Sequence, residues 1–286
     1  MPTREAGAQS PNREAALAAL RGLQPLSAVA VQLQVLSEED LGIAEVAEMI
    51  KADAALSADV LRLANSPLFG LRQLPSGVLQ AVAMLGVSRV MTVVTTAALR
   101  NFASGARGTA ALQRCWRHNI ACGFICEDLA RAVNLDVDLA YTAGLLHDLG
   151  RTGMLAVWAQ RYGRLLDEAS PDPAGLLTAE REEFGITHTD AGAFLLQNWR
   201  LPEVLVDVAR VHHECPAPDV RNYGGMVHCA CRLADQLGFV VTGKAGVENL
   251  PLDVPQPWSS LVAGMPERLG LGVAERINAL ESYFLS

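Results

Sequence analysis

In the stretch AYTAGLLHDLGRTG, residues 140–153, His147 and Asp148 stand side by side at the end of an otherwise apolar run. Imidazole and carboxylate are the ligands a divalent transition metal takes when a water must bind beside them. The same two groups can also serve as a hydrogen-bonded pair that fastens a helix end. A second pair, His212 and His213, poses the same question. All six histidines (His118, His147, His188, His212, His213 and His228) fall between positions 118 and 228, and the first hundred residues hold neither His nor Cys. Burying two adjacent polar rings costs free energy unless both find partners, so the pairs need a cause more than the single residues do. Taken singly, His118 and His228 read most simply as satisfied helix residues. From residue types and spacing, a metal cluster and a set of core hydrogen-bonders both stay open.

The elements that must position these side chains are helices. A helical bundle can aim ligands from facing helices at one point, so they need not be close in sequence. AEVAEMIKADAALSADVLRLANS repeats apolar residues three and four apart, as amphipathic helices require. Asp53 suits an N-cap within it, and Pro67 stops continuation past Ser66. SGVLQAVAMLGVSRVMTVVTTAALRNF reads as a short helix, a break at Gly86 and a long apolar helix. Further helices are expected near 110–133, 137–147, 151–167, 174–184, 189–199, 203–213, 225–238 and 266–284. Alternating strand patterns are scarce, and the fold class is all-α. Residues 1–20 read as a flexible tail, 21–105 as an N-terminal bundle, 106–240 as the histidine-bearing bundle, and 241–286 as a loop with C-terminal helices. ASGARGTA, residues 103–110, is the expected link between the two bundles.

Composition narrows the function classes. Half of the 286 residues are hydrophobic and 19% are charged, the balance of a folded globular protein and not of a disordered chain. The net charge is −8, Lys occurs only at positions 51 and 244, and there is no dense basic run, which argues against direct nucleic-acid binding. No run approaches the ~18 apolar residues of a membrane span, and MPTREAGAQSPNREA lacks the apolar core of a signal peptide. The six cysteines form no CxxC pair and read as reduced thiols in a cytoplasmic protein. Cys122 and Cys126, four apart, read as core-facing. TAEREEF reads as a solvated helix face, Trp116, Trp158 and Trp199 as core anchors, and Asn65 with Ser66 as a helix end beside an inward-packing Phe69.

At these residues the sequence resembles the HDOD domains, relatives of the HD superfamily of metal-dependent phosphohydrolases. IKADAALSADVLRLANSPLFG and AVAMLGVSRVMTVV resemble blocks of the N-terminal half. CWRHNIACG, AGLLHDLGR, EFGITHTDAGAFLLQNWRLPEVL, VARVHHE and MVHCACRLADQLG resemble those of the second half, in the family's order. The resemblance spans roughly residues 20–240. It implies an N-terminal helical bundle packed on an HD-type bundle, and a bacterial regulatory role, commonly as an output module without demonstrated catalysis. It also implies a metal site. His118, the pair His147 and Asp148, His188, and the double His212 and His213 match its positions, and together they could surround a two-metal centre.

Departures from that pattern bear on activity. The last ligand should be Asp and is Cys231, with Asp235 one helical turn later as a substitute. A thiolate there favours softer metals and removes a bridging carboxylate. The Lys that follows the pair in the HD-GYP enzymes is Arg151, which cannot act as a base at neutral pH. Arg114 stands where trinuclear relatives place a Glu, and CPAPDVRNYGG replaces the substrate-binding GYP segment. The expectation is therefore a cytoplasmic HDOD regulatory protein working through contacts with other signalling proteins. It has no membrane segment and no nucleic-acid partner, and its signal arrives from a separate molecule. One or two divalent ions (Fe, Zn or Mn) or a nucleotide can occupy its cluster. The rival expectation is a metal-dependent phosphohydrolase or phosphodiesterase acting on a nucleotide or cyclic dinucleotide.

Overall fold

The computed structural model describes residues 12–24, 26–35, 42–65, 71, 73–102, 109–169, 172–217, 221–243, 254, 256, 258–262 and 272–280. Helices account for nearly all of the regular structure, and among the described residues there is no strand. The N-terminal bundle comprises α2 (Ala28–Val35), α3 (Ile43–Lys51), α4 (Ala54–Ala64), α5 (Val78–Leu85) and α6 (Val87–Phe102). Its helix ends follow from particular residues. Asp53 accepts the Leu56 N–H at 3.0 Å and so starts α4. Gly86, with φ of 82°, divides α5 from α6 in a conformation that glycine adopts at least cost. Asn65 ends α4 and donates to the Pro75 carbonyl; Ser66, Pro67, Phe69 and residues 103–108 of the expected link lie outside the described residues.

The second bundle is built on α7 (Ala110–Val133), which starts at a Thr109 cap. Against it lie α8 (Val137–Leu146), α9 (Leu149–Glu168) and α13 (Tyr223–Gln236). Helices α10 (Pro173–Phe184), α11 (His188–Asn198) and α12 (Glu203–Val211) complete it, with α11 against both α9 and α12. A short α14 (Trp258–Val262) and a helical segment over residues 272–280 follow. The two bundles meet where α6 lies on α8, across the buried hydrogen bond between Thr96 Oγ1 and Tyr141 Oη at 2.9 Å.

Two close approaches bring the site elements together. A Cβ on Gly144 would stand 2.6 Å from the Cys122 carbonyl oxygen, and one on Gly150 would stand 1.9 Å from the His188 carbonyl oxygen. Only glycine lets α8 reach α7, and α9 reach α11, at these points.

The stretch expected to be a loose tail to residue 20 holds a helix instead, α1 (Arg13–Arg21), set on α9 and α11. The Asn12 side chain accepts the Glu14 N–H, and Ala16 and Leu20, four apart, are buried. Leu17 and Leu23 pack beside them, so an apolar stripe is present in REAALAALR, and it is the polar run before it that reads as a tail. Of the tryptophans, Trp199 is buried edge-on against Phe102, whereas Trp116 and Trp158 are partly buried at the rim of the core.

Candidate metal centre

His147 and Asp148 form the turn between α8 and α9, both about 1% exposed. His118 sits in the middle of α7, His188 is the first residue of α11 behind a Thr187 capping box, and His212 caps the C-terminus of α12. Cys231 lies on α13. The structure brings seven of the eight expected residues together, and it sorts them into two adjoining groups. Asp148, His188, His212 and His213 make one group. His118, His147 and Cys231 make the other, with Cys122 as a fourth member.

Backbone and carboxylate acceptors fix the imidazoles. Nδ1 of His118 donates to the Phe239 carbonyl at 2.6 Å, Nδ1 of His147 to the Gly144 carbonyl at 2.6 Å, and Nδ1 of His212 to the Ala209 carbonyl at 3.0 Å. Because a carbonyl can only accept, each Nδ1 carries the proton. Nδ1 of His188 donates to Glu180 at 2.7 Å. Nε2 of each ring is thereby left for the cluster, the arrangement a ligating histidine needs from its outer partner.

Asp148 faces both ways. Its Oδ1 lies 3.3 Å from His212 Nε2 and 3.4 Å from His188 Nε2. Oδ1 and His212 Nε2 are both buried without a hydrogen-bond partner, and His188 Nε2 is 2.9 Å from His213 Nε2. Buried orphan atoms converging in this way fit a cation between them. The other oxygen, Oδ2, accepts from Arg151 Nε at 2.7 Å. Arg151 is itself 2% exposed and also reaches Glu180, Tyr162 and His213.

The electrostatics follow from burial set against these neighbours. Burial opposes the charge on Asp148, but Arg151 and the surrounding histidines outweigh it and hold its pKa well below the carboxylate range. For Glu180 the same contest is won by His188 and Arg151. Burial, the neighbouring imidazoles and Arg151 hold His213 well below the ordinary value for histidine. In the other group, burial disfavours a thiolate at Cys231, yet the Cys122 thiol and the His147 and His118 rings bring it well below the usual thiol value. Burial pulls His118 down, but Cys231 and Asp235 raise it to about 9.

Three residues differ from the sequence reading. Asp235 belongs to neither group: its carboxylate faces the outer Nδ1 side of His118 at 3.7 Å, so the next turn of α13 carries it past the cluster. Cys122 does face the core, but there its sulfur lies 3.5 Å from His118 Nε2 and 3.9 Å from Cys231 Sγ. Glu180, within the charged run TAEREEF, is fully buried and bonded to His188, Arg151 and Tyr162. His228 donates from Nδ1 to the His212 carbonyl and stays outside both groups.

The residues thus fit ions held within each group, but not the carboxylate-bridged pair that the resemblance implies. Bridging through both oxygens of Asp148 would set an ion against Arg151 at Oδ2, and a second carboxylate is missing because Cys231 stands in its place. A cleft of about 230 Å³ opens over the cluster, lined among others by Arg151, His213, Arg232 and Asp235. Among the described residues, no helix is long and apolar enough to cross a membrane.

Comparison with known proteins agrees with this architecture. An uncharacterized protein of Treponema pallidum (strain Nichols) is 25% identical over 191 residues, which cover 65% of this chain and 36% of that one. The chain therefore spans about a third of that relative's length. The crystal structure of an HDOD domain protein with unknown function from Geobacter sulfurreducens superposes with a TM-score of 0.71 at 22% identity, covering 93% of this chain and 99% of the other. A protein of Marinobacter aquaeolei VT8, named for signal transduction, gives 0.72 at 23% identity over 93% of this chain and 60% of its own. The model of the HDOD domain matches residues 23–215, more than half of the sequence, and the chain belongs to the HDOD domain family.

Proposed function

We propose that this chain is a bacterial, cytoplasmic signal-transduction module that works through contacts with other signalling proteins and holds ions at the cluster without hydrolysing a phosphoester there. The observation that carries this reading is the guanidinium of Arg151 on Asp148 Oδ2 at 2.7 Å inside the cluster. In two-metal hydrolysis a pair of ions ~3.5–4 Å apart clamps the attacking and leaving oxygens, and a carboxylate that joins the ions through both its oxygens offers one to each. Arg151 takes one of those oxygens and remains charged at any neutral pH. Its further bonds to Glu180 and Tyr162 keep it in place. The signalling role of the similar Marinobacter protein supports the regulatory half of the proposal.

On this reading the cleft, where Arg232 and His213 stand beside Asp148 and Asp235, would take an anionic ligand such as a nucleotide as a signal and release it unchanged. The test is turnover. Protein loaded in turn with iron(II), manganese(II) and zinc(II) is incubated with a cyclic dinucleotide, nucleoside phosphates and a chromogenic phosphodiester. Release of product no faster than with Asp148→Ala is the expected result. Hydrolysis that Asp148→Ala abolishes would overturn the proposal in favour of the phosphodiesterase reading.

A further inference from the structure

We infer that His118, Cys122, His147 and Cys231 form a closed, four-ligand site for a single thiophilic divalent ion of the zinc class, separate in its ligands from the Asp148–His188–His212–His213 group. The inference rests on the reading of the cluster as an ion-holding site, and not on the absence of hydrolysis.

Three of the six donor-to-donor edges come close to those around a tetrahedral ion. An ion with bonds of about 2.3 Å to sulfur and about 2.0–2.1 Å to nitrogen sets its ligands about 3.8 Å apart for two sulfurs, and about 3.6 Å apart for sulfur and nitrogen. The three edges the structure gives are 3.9 Å for Cys122 Sγ to Cys231 Sγ, 3.5 Å for Cys122 Sγ to His118 Nε2 and 3.2 Å for Cys231 Sγ to His147 Nε2. All four donor atoms lie within 4.8 Å of one another and all four residues are buried. The backbone arranges this directly. His118 and Cys122 are one turn apart on α7, so both side chains leave the same face. His147 comes from the turn after α8, and Cys231 from α13 across α7.

The outer partners are complete as well. The Phe239 and Gly144 carbonyls hold the Nδ1 protons of His118 and His147, leaving each Nε2 lone pair directed inward. Two sulfurs and two imidazoles form a donor set suited to zinc, and unsuited to magnesium or calcium, which take oxygen. Four protein ligands leave no open position for water, as in sites that hold structure together and not in sites that activate water. Cys122 is what separates this arrangement from a His–Asp centre.

The experiment uses the full chain, purified with a non-chelating reductant, stripped of metal and reloaded with zinc or cobalt(II). With zinc limited to one equivalent per chain, X-ray absorption at the zinc edge is expected to show about two sulfur neighbours at about 2.3 Å and about two nitrogens near 2.0 Å. The cobalt form is expected to show thiolate-to-metal charge transfer and the intense ligand-field bands of a tetrahedral ion. Cys122→Ser should lose about half of that charge-transfer intensity, while His188→Ala leaves it unchanged. Zinc bound with only nitrogen and oxygen neighbours, or no bound metal at all, would overturn the inference; both are read on the unmutated protein, so a folding failure of Cys122→Ser cannot hide either one. A Cys122→Ser spectrum identical to that of the parent would overturn it too. Hydrolysis of a phosphodiester would sink the non-catalytic reading and leave the sulfur shell standing, so the two can fail separately.

Discussion

At the scale of single residues, Arg151 is the side chain on which most of the cluster's charge depends. It compensates Asp148 and Glu180, two carboxylates about 1% and 0% exposed. Removing one partner of a buried pair leaves an uncompensated charge and costs about 3–5 kcal/mol. Arg151→Met is therefore expected to lower the unfolding free energy by that amount, read as a shift in the urea midpoint at unchanged slope. Arg151→Lys should recover only part of it, because a point charge cannot reach Asp148, Glu180 and Tyr162 from one rigid fork. An Arg151→Met protein as stable as its parent would mean that the carboxylates are neutralised some other way. Arg151 was legible in the sequence as a departure from the Lys pattern, and the histidines were legible through their pairs. Glu180 was not, since one buried Glu among Glu182, Glu183 and Arg181 looks like any solvated charge run. The signal for Cys122 was its place four residues after His118; read only against Cys126, it looked like core filling. Asp235 was over-read: a shared helix face with Cys231 does not guarantee a shared target one turn on.

At the scale of elements, the site is set by how closely helices cross. Gly150 and Gly192 allow α9 to lie on α11, and a Cβ on Gly150 would come within 1.9 Å of the His188 carbonyl oxygen and 2.6 Å of the Gly192 nitrogen. Those obstacles are backbone, which cannot rotate away. Gly150→Ala should cost about 3 kcal/mol or more through overpacking and displace His188 from Asp148. Gly163 lies on the same helix with open space where its Cβ would stand. There alanine should gain up to about 1 kcal/mol from helix propensity. Thermal unfolding of the two variants beside the parent checks the contrast, and shifts of the same sign would refute the close-crossing argument. Helix identity was legible from apolar periodicity, and the Gly86 break and the Asp53 cap were legible from residue type. Helix α1 escaped although Ala16, Leu17 and Leu20 carry its apolar stripe, because the polar run before it gives the whole stretch the look of a tail. No local pattern could place the crossings, because which glycine meets which backbone is a property of two elements at once.

At the scale of the whole molecule, the HDOD match ends at residue 215, yet the structure extends beyond it in two places that bear on the site. Cys231 comes from α13, after the match ends. Further on, Val273, Ile277 and Leu280 in the helical segment 272–280 are all buried, and Arg276 bridges to α7. Its guanidinium lies 3.8 Å above the Phe124 ring and pairs with Glu127 and Asp128. Because α7 also carries His118 and Cys122, the segment supports the same helix, on the side where Arg276 and Leu280 share a pocket with Thr96 of α6 and Tyr141 of α8. Each buried aliphatic side chain is worth about 1.5–3 kcal/mol, so a chain ending at residue 271 should lose at least about 4 kcal/mol. It should also become more open to amide exchange along 124–128, measured by hydrogen–deuterium exchange with mass spectrometry. If the segment is only an appendage, the truncated chain will match the parent in both readings. If it is part of the scaffold, the protection lost on α7 should be partly restored by zinc, since an ion held by His118 and Cys122 fastens the same helix one turn earlier.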